Sequence, residues 1–226
     1  MLYVELPEEH NDRELSFYLA MEEYVARQLP PNDYFFMWQV EPSVIYGRNQ
    51  FVEQEVNEDY CRQHGIRLFQ RKSGGGCVYA DKQNLMLSYV TATDKVGFAF
   101  NSFIGMELLC LRKMGVEAVG TTHNDVMIGD RKVSGTASYH LPGRTIVHGT
   151  LLYDTSMEHM LHAITPTEEK LASKGIQSVR QRITLLKDHT TLSLEEVKSL
   201  IRNTLCVGSF PLSSEDIIHI EQQQSL

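Results

Sequence analysis

The chain has 226 residues, 42% hydrophobic and 22% charged, with a formal net charge of −8. That composition suits a soluble globular protein of one large or two small domains. The acidic balance excludes general nucleic-acid binding, where a basic surface supplies most of the affinity, and no apolar run approaches the roughly 20 residues of a membrane helix.

The N-terminus, Met1-Leu2-Tyr3-Val4-Glu5, has no basic region and no long apolar core. No secretion signal is read there, and a cytoplasmic location is expected. Residues 1–6 read as a short strand. Asn11 and Glu14 have capping-box spacing and open a helix. In it Leu15, Leu19 and Glu22 stack, while Phe17, Met21, Tyr24 and Val25 form a broad apolar stripe. Pro30-Pro31 ends it. Tyr34–Val40 and Ser43–Tyr46 are apolar runs of strand length, followed by the polar loop Gly47-Arg48-Asn49-Gln50. Residues 54–64 read as one helix that Gly65 terminates.

The strand Ile66–Gln70 then enters Arg71-Lys72-Ser73-Gly74-Gly75-Gly76-Cys77-Val78-Tyr79. Glycine reaches φ > 0 without steric cost and carries no side chain to block a ligand. Such a loop can turn several backbone N–H groups toward one anion, with Arg71 as a charged fork at its mouth. A glycine-rich hairpin turn is the plain alternative. No Gly-Lys-Ser/Thr follows, and no helix pattern opens after it, so it is neither a Walker loop nor a dinucleotide fingerprint.

Cys77–Tyr79 leaves the loop, and Asp81-Lys82-Gln83-Asn84 turns into the strand Leu85–Thr91. Phe98–Met114 is a long helical pattern with Gly115 at its end, and Val116–Val119 is short and extended. Val126–Ile128 and Lys132–Ser138 are joined by Gly129-Asp130, a hairpin signal. Leu141-Pro142-Gly143-Arg144 turns into the strand Thr145–Tyr153. Helices are expected at about 156–163, 168–174 and 193–205, with a last short one within Ser213–Gln224. Strands and hairpins interleaved with a few helices, without a βαβα rhythm, predict an α+β fold. Its sheet is mixed and largely antiparallel, with flanking helices. A boundary is read near 185–192: residues 1–188 form the body of the domain and 189–226 a short helical appendage of that same domain.

Several polar groups invite chemistry. Asp125, after Asn124, suits a divalent cation or a ribose hydroxyl, and Asn124 a phosphate; a turn is the plain reading. Lys132, beside Ser134 and Gly135, can lean over a concave site and neutralise charge developing on a carboxylate or an α-phosphate. An edge-strand lysine that discourages aggregation is its alternative. His148, followed by Gly149 and Thr150, is either a base or hydrogen-bonded structure. In the last cluster, with Lys170, Lys174, Arg180 and Arg182, three of the charges could close over an anion as a lid. The four cysteines, Cys61, Cys77, Cys110 and Cys206, form no Cys-x-x-Cys site. Cys61 and Cys110 read as buried thiols.

Together these segments resemble the lipoate–protein ligase A family. The resemblance rests on Gly47-Arg48-Asn49-Gln50, Arg71-x-Ser73-Gly74-Gly75-Gly76-x-Val78-Tyr79, Asn124-Asp125, Gly129-Asp130-Arg131-Lys132-Val133-Ser134-Gly135, His148-Gly149-Thr150-Leu151-Leu152 and Lys174-Gly175-Ile176-x-Ser178-Val179-Arg180. It covers roughly residues 10–186 and implies the biotinyl/lipoyl ligase catalytic-domain fold. It implies an enzyme that activates lipoate with ATP to lipoyl-adenylate and transfers the lipoyl group to a lysine of an acceptor. That acceptor would be the lipoyl domain of a 2-oxoacid dehydrogenase E2 subunit or the glycine cleavage H protein.

On this resemblance Lys132 is the catalytic residue, contacting both the lipoyl carbonyl and the α-phosphate. ATP and lipoyl-adenylate are held by Arg71, Ser73, Gly74, Gly75, Gly76, Cys77, Val78, Tyr79, Asn84, Asn124, Asp125, Lys132, Gly135, His148, Gly149 and Thr150. Lys174, Arg180 and Arg182 form the lid, and Asp125 helps to seat Mg²⁺. The Tyr34–Val40 strand and the Leu15–Val25 helix offer the apolar slot.

The chain departs from the family pattern at Cys77, where alanine is usual, and at Ala80, Gln83 and Thr122-His123, where histidine, glycine and Gly-Arg are usual. It also ends at Leu226, without the accessory domain of long members, so a separate accessory protein is a possible partner. Two alternatives stay open at this level. One is a lipoyl or octanoyl transferase of the same fold using a preformed donor, with Cys77 as a candidate nucleophile. The other is a non-catalytic sensor of lipoate or its adenylate.

Overall fold

The computed structural model describes residues 1–7, 13–121, 124–165 and 182–224. The main frame is an eight-stranded sheet. Its strands are β1 (Leu2–Glu5), β2 (Tyr34–Trp38), β6 (Asn84–Thr91), β7 (Val119–Gly120), β8 (Asp125–Ile128), β9 (Arg131–Leu141), β10 (Arg144–Leu152) and β11 (Gly208–Pro211). Across the sheet the order is β11-β1-β2-β6-β10-β9-β8-β7. Pairing is parallel at β11–β1 and β1–β2 and antiparallel at every other step. A second sheet has the order β4-β3-β5, from β3 (Ser43–Gly47), β4 (Arg67–Arg71) and β5 (Val78–Ala80). The expected α+β class, with a mixed and largely antiparallel sheet, is what forms.

Strand alternation puts successive side chains on opposite faces, and helices bury both. On one face α1 (Leu15–Gln28) and α7 (Ser214–Gln223) pack Phe17, Met21, Val25, Ile217 and Ile220 against Phe36, Trp38, Met86 and Ile146. On the other, α4 (Val96–Lys113) and α6 (Leu194–Leu205) pack Phe103, Leu111, Val197 and Ile201 against Phe35, Leu87, Val147 and Leu151. A third cluster, with Val44, Cys61, Tyr79 and Met160, joins the small sheet to α3 (Glu58–Gln63) and α5 (Met157–Ala163). Among the described residues no helix is long and apolar enough to cross a membrane.

Two local expectations are corrected. The helix read over 54–64 is α2 (Val52–Glu55) and α3, because the Asn57 side chain accepts from the Tyr60 N–H and starts a new helix. Val56, between them, is extended and bridges Ile164. Glu14 is the residue before α1 and makes no cap bond; its carboxylate pairs with Arg67 instead. Asn11 lies outside the described residues, as does the helix read at 168–174. The stretch after 189 also contributes a strand, β11, alongside its helices.

Candidate active site

The glycine loop connects β4 to β5 and folds over the end of β3. Its close packing is set by two glycines. A Cβ at Gly47 would lie 2.3 Å from the Gly75 carbonyl oxygen, and Gly75 itself has φ +93°. The loop turns carbonyls toward the buried Arg71, which supplies donors to two of its three glycines. Its Nη2 donates to the carbonyls of Gly74 at 2.7 Å and Gly76 at 2.8 Å, its Nη1 to Ile45 at 3.1 Å, and its Nε to Ser73 Oγ at 2.9 Å. Burial pulls the Arg71 pKa down, against the opposing charges of Cys77 and Glu22. The fork expected at the mouth of the loop therefore lies beneath it. With the carbonyls drawn inward, the N–H groups of Gly74, Gly75 and Gly76 donate to no backbone carbonyl among the described residues.

Ser73 ties this loop to the large sheet. Its Oγ lies 2.7 Å from His148 Nε2 on β10, and His148 Nδ1 lies 3.1 and 3.0 Å from the two carboxylate oxygens of Glu22 on α1. Alternation along β10 turns His148 and Thr150 to this side and Gly149 to the other. A Cβ at Gly149 would sit 2.9 Å from Phe103 of α4. Gly149 is thus a packing glycine facing away from the loop.

The second cluster is at the β8–β9 hairpin. Pairing runs from Asp125↔Gly135 and Val126↔Ser134 to Met127↔Lys132, so Val133 is skipped as a β-bulge. Bulges re-aim neighbouring side chains. Lys132 leans back over Gly135, where a Cβ would lie 2.3 Å from its Nζ. Its ammonium pairs with Asp125 Oδ1 at 2.7 Å, and Arg182 pairs with Asp125 Oδ2. Burial lowers the Lys132 pKa, and the Asp125 carboxylate opposes that shift. Arg182 arrives because the chain beyond it runs alongside Lys132, with the Thr184 N–H donating to the Lys132 carbonyl at 2.9 Å. Asn124 sits at φ +71°, exposed, and its carbonyl accepts from the Thr136 N–H.

Asn84 is fully buried and donates through Nδ2 to the Tyr79 carbonyl at 2.7 Å, bracing β5 from behind. Val78 packs on the α1 cluster and Cys77 on the cluster around Val44 and Cys61. β5 is an edge of the small sheet, so one side of Val78 and Tyr79 is left for other contacts. Lys170, Lys174 and Arg180 lie outside the described residues. Among the described residues no group of three or more His, Cys, Asp or Glu could hold a metal ion.

Glu22 carries no assigned role in the sequence reading. The signal is there: an acid within the apolar stripe of a helix, buried in the structure to 4% exposure. Glu107 of α4 is a second buried acid, accepting from Ser134 Oγ at 2.6 Å on the far side of β9.

One large sheet carries both clusters: the glycine loop is tied to β10 through Ser73 and His148, and the half-buried, carboxylate-held Lys132 stands on β9. Residues 14–206 match the family model of the lipoyl protein ligase A/B catalytic domain, and the chain belongs to that family. It is 36% identical over 212 residues to lipoate–protein ligase 1 of Staphylococcus aureus, covering 90% of this chain and 65% of that protein. It is 37% identical over 201 residues to lipoate–protein ligase LplJ of Bacillus subtilis, covering 85% and 61%. The chain therefore spans less than two thirds of the length of these relatives.

Among solved structures, a bipartite lipoate protein ligase from Thermoplasma acidophilum, studied with its E2 lipoyl domain, superposes with a TM-score of 0.83 at 24% identity. That match covers 99% of this chain and 91% of the other. A lipoate-protein ligase A bound with ATP superposes at 0.81 with 21% identity, covering 100% and 93%. These two likenesses establish the fold.

Proposed function

We propose that the chain is the catalytic part of a lipoate–protein ligase. The carrying observation is Lys132, half-buried, leaning over Gly135 and held by Asp125 at 2.7 Å. Activating a carboxylate on a triphosphate brings like charges together, so the site must supply positive charge and oriented donors. The lipoate carboxylate oxygen attacks the α-phosphorus of ATP and pyrophosphate leaves. The ε-amine of an acceptor lysine then attacks the acyl carbon of lipoyl-adenylate and AMP leaves. Lys132 neutralises the charge that builds up in both steps.

The N–H groups of the glycine loop cradle the anion, with Arg71 holding the loop in shape rather than touching the phosphate. The free side of β5, at Val78 and Tyr79, takes the adenine, and Asn124 helps with the phosphates. The apolar region of α1 and β2, where Tyr18 stacks on Trp38 at 4.9 Å, is the surface assigned to the alkyl chain and dithiolane. Arg182, paired with Asp125, adds a second positive charge beside Lys132. Mg²⁺ would arrive with the triphosphate; Asp125, held between Lys132 and Arg182, does not fit as its protein ligand.

The relatives named as lipoate–protein ligases support this reading. So does a structure of the same fold bound with ATP. The neighbour studied with its E2 lipoyl domain supports a lipoyl domain as acceptor, with a glycine cleavage H protein as the other candidate. A separate accessory protein that assists activation fits the same reading. A cytoplasmic location accords with four cysteines that form no disulfide.

The test is lipoate-dependent ATP–pyrophosphate exchange, comparing wild type with Lys132→Ala. One preorganised donor is worth about 3–4 kcal/mol in a transition state, so exchange should fall roughly a hundred- to a thousandfold. Wild-type protein that shows no exchange, yet transfers lipoyl from added lipoyl-adenylate, would overturn the activation step. It would leave a transferase or a ligase awaiting a second protein.

A further inference from the structure

Six side chains from six parts of the fold form one unbroken hydrogen-bond chain. Trp38 Nε1 donates to Ser88 Oγ at 2.9 Å, and Ser88 Oγ donates to Glu22 Oε1 at 2.6 Å. From the other end, Arg71 Nε donates to Ser73 Oγ at 2.9 Å, and Ser73 Oγ meets His148 Nε2 at 2.7 Å. The chain closes where His148 Nδ1 meets the Glu22 carboxylate at 3.0 and 3.1 Å. Glu22, Ser73, Ser88, Trp38 and Arg71 are all buried.

The polarity of this chain is dictated at its ends. An indole N–H and a guanidinium can only donate. Ser88 uses a lone pair on Trp38 and so passes its proton to Glu22. The Glu22 carboxylate can only accept, so His148 carries a proton on Nδ1. With its proton there, a neutral His148 accepts at Nε2 from Ser73 Oγ, which takes the Arg71 Nε–H on a lone pair. Both arms run toward Glu22, and a carboxylate is the side chain that accepts from both directions at once.

We propose that Glu22 is a positioning residue that fixes the Nδ1–H tautomer of His148 and, through Ser73 and Arg71, the shape of the glycine loop. The consequence for catalysis rests on the function proposed above; the tautomer does not. Glu22 touches no reacting atom. It sets which way the protons point, and that order ends at the guanidinium whose Nη2 draws the Gly74 and Gly76 carbonyls inward.

Glu22→Gln is nearly isosteric and reverses the polarity at one atom. Its oxygen is held at the Oε1 position by the Ser88 hydroxyl, so its amide nitrogen takes the Oε2 position, 3.0 Å from Nδ1, and can only donate there. The tautomer that accepts this new donor carries its proton on Nε2, where the second lone pair of Ser73 Oγ receives it. The experiment uses the full chain labelled with ¹⁵N-histidine, whose ring nitrogens report directly which of them carries a proton. The His148 ring signals are assigned by their loss in His148→Asn.

Wild type should show the proton on Nδ1, and Glu22→Gln should show it on Nε2. Glu22→Asp, which keeps an acceptor, and Ser88→Ala, which cuts only the other arm, should both keep it on Nδ1. A merely structural role for Glu22 would not divide the variants in this way. Lipoate-dependent exchange should fall roughly ten- to a hundredfold in Glu22→Gln, the usual scale for a hydrogen bond to a charged group.

Wild type with the proton on Nε2, or Glu22→Gln with an unchanged tautomer, would overturn the proposal. So would Glu22→Gln exchange within twofold of wild type. Wild type without any exchange would sink the functional reading alone, since the tautomer is read in the unliganded protein.

Discussion

Gly47 and Gly74 stand close in the fold yet answer differently to the same change. A methyl group at Gly47 would collide with the Gly75 carbonyl at 2.3 Å, a backbone atom that cannot rotate away. The flanking carbonyls are pinned by Arg71, so the loop cannot yield without breaking those bonds. Gly47→Ala should cost about 1–3 kcal/mol, the range for overpacking, and should raise the KM for ATP in the exchange assay. At Gly74 a methyl group meets nothing within 4 Å and φ is not positive. Gly74→Ala should leave stability within about 0.5 kcal/mol of wild type. Urea unfolding of both variants checks the contrast; equal costs would mean that the loop is not packed as described.

At the scale of elements, the stretch after residue 189 is woven into the main core. β11 pairs in parallel with β1, and α7 places Ile217 and Ile220 in the cluster that α1 forms with the large sheet. Ile220 is fully buried, so Ile220→Ala should cost about 2–5 kcal/mol and lower the midpoint of a single cooperative transition. A separate low-temperature transition, with the rest of the fold unmoved, would mark an independent appendage instead.

The sequence makes local features such as α1 and the β8–β9 hairpin legible, because periodicity and Gly129-Asp130 are local signals. β11 is not legible, since a four-residue strand containing Gly208 and Pro211 takes its identity from a partner at the other end of the chain. The break between α2 and α3 depends on a single cap at Asn57. In the site, the glycine loop and Lys132 announce themselves by residue type. Glu22 and His148 are 126 positions apart, and nothing local couples them. Arg71 looks like a ligand for an anion until the unpaired carbonyls of its own loop are counted.

For the molecule as a whole, the buried acid on the far side of β9 ties global stability to pH. Glu107 accepts from Ser134 Oγ at 2.6 Å, and its Oε2 has no hydrogen-bond partner. Burial pushes its pKa from an ordinary 4.5 up to about 7, against the opposing pull of Ser134 and Lys132. Between those two values the folded chain holds a proton that the unfolded chain has released. Stability therefore falls with rising pH in this window, because the slope follows the excess of protons on the unfolded state, here negative. The contribution is fully present below about pH 4.5 and is lost as pH rises through about 7. Each pH step of one between the two values is worth about 1.4 kcal/mol, so the full span is on the order of 3 kcal/mol. Glu107→Gln keeps the shape and removes the titration. The difference in unfolding free energy between wild type and Glu107→Gln, measured in urea from about pH 5 to about pH 8, should move steadily against wild type. Groups common to both proteins cancel in that difference. A flat difference curve would mean that Glu107 is charged in the folded state throughout, and that Lys132 stands above a buried carboxylate rather than a neutral acid.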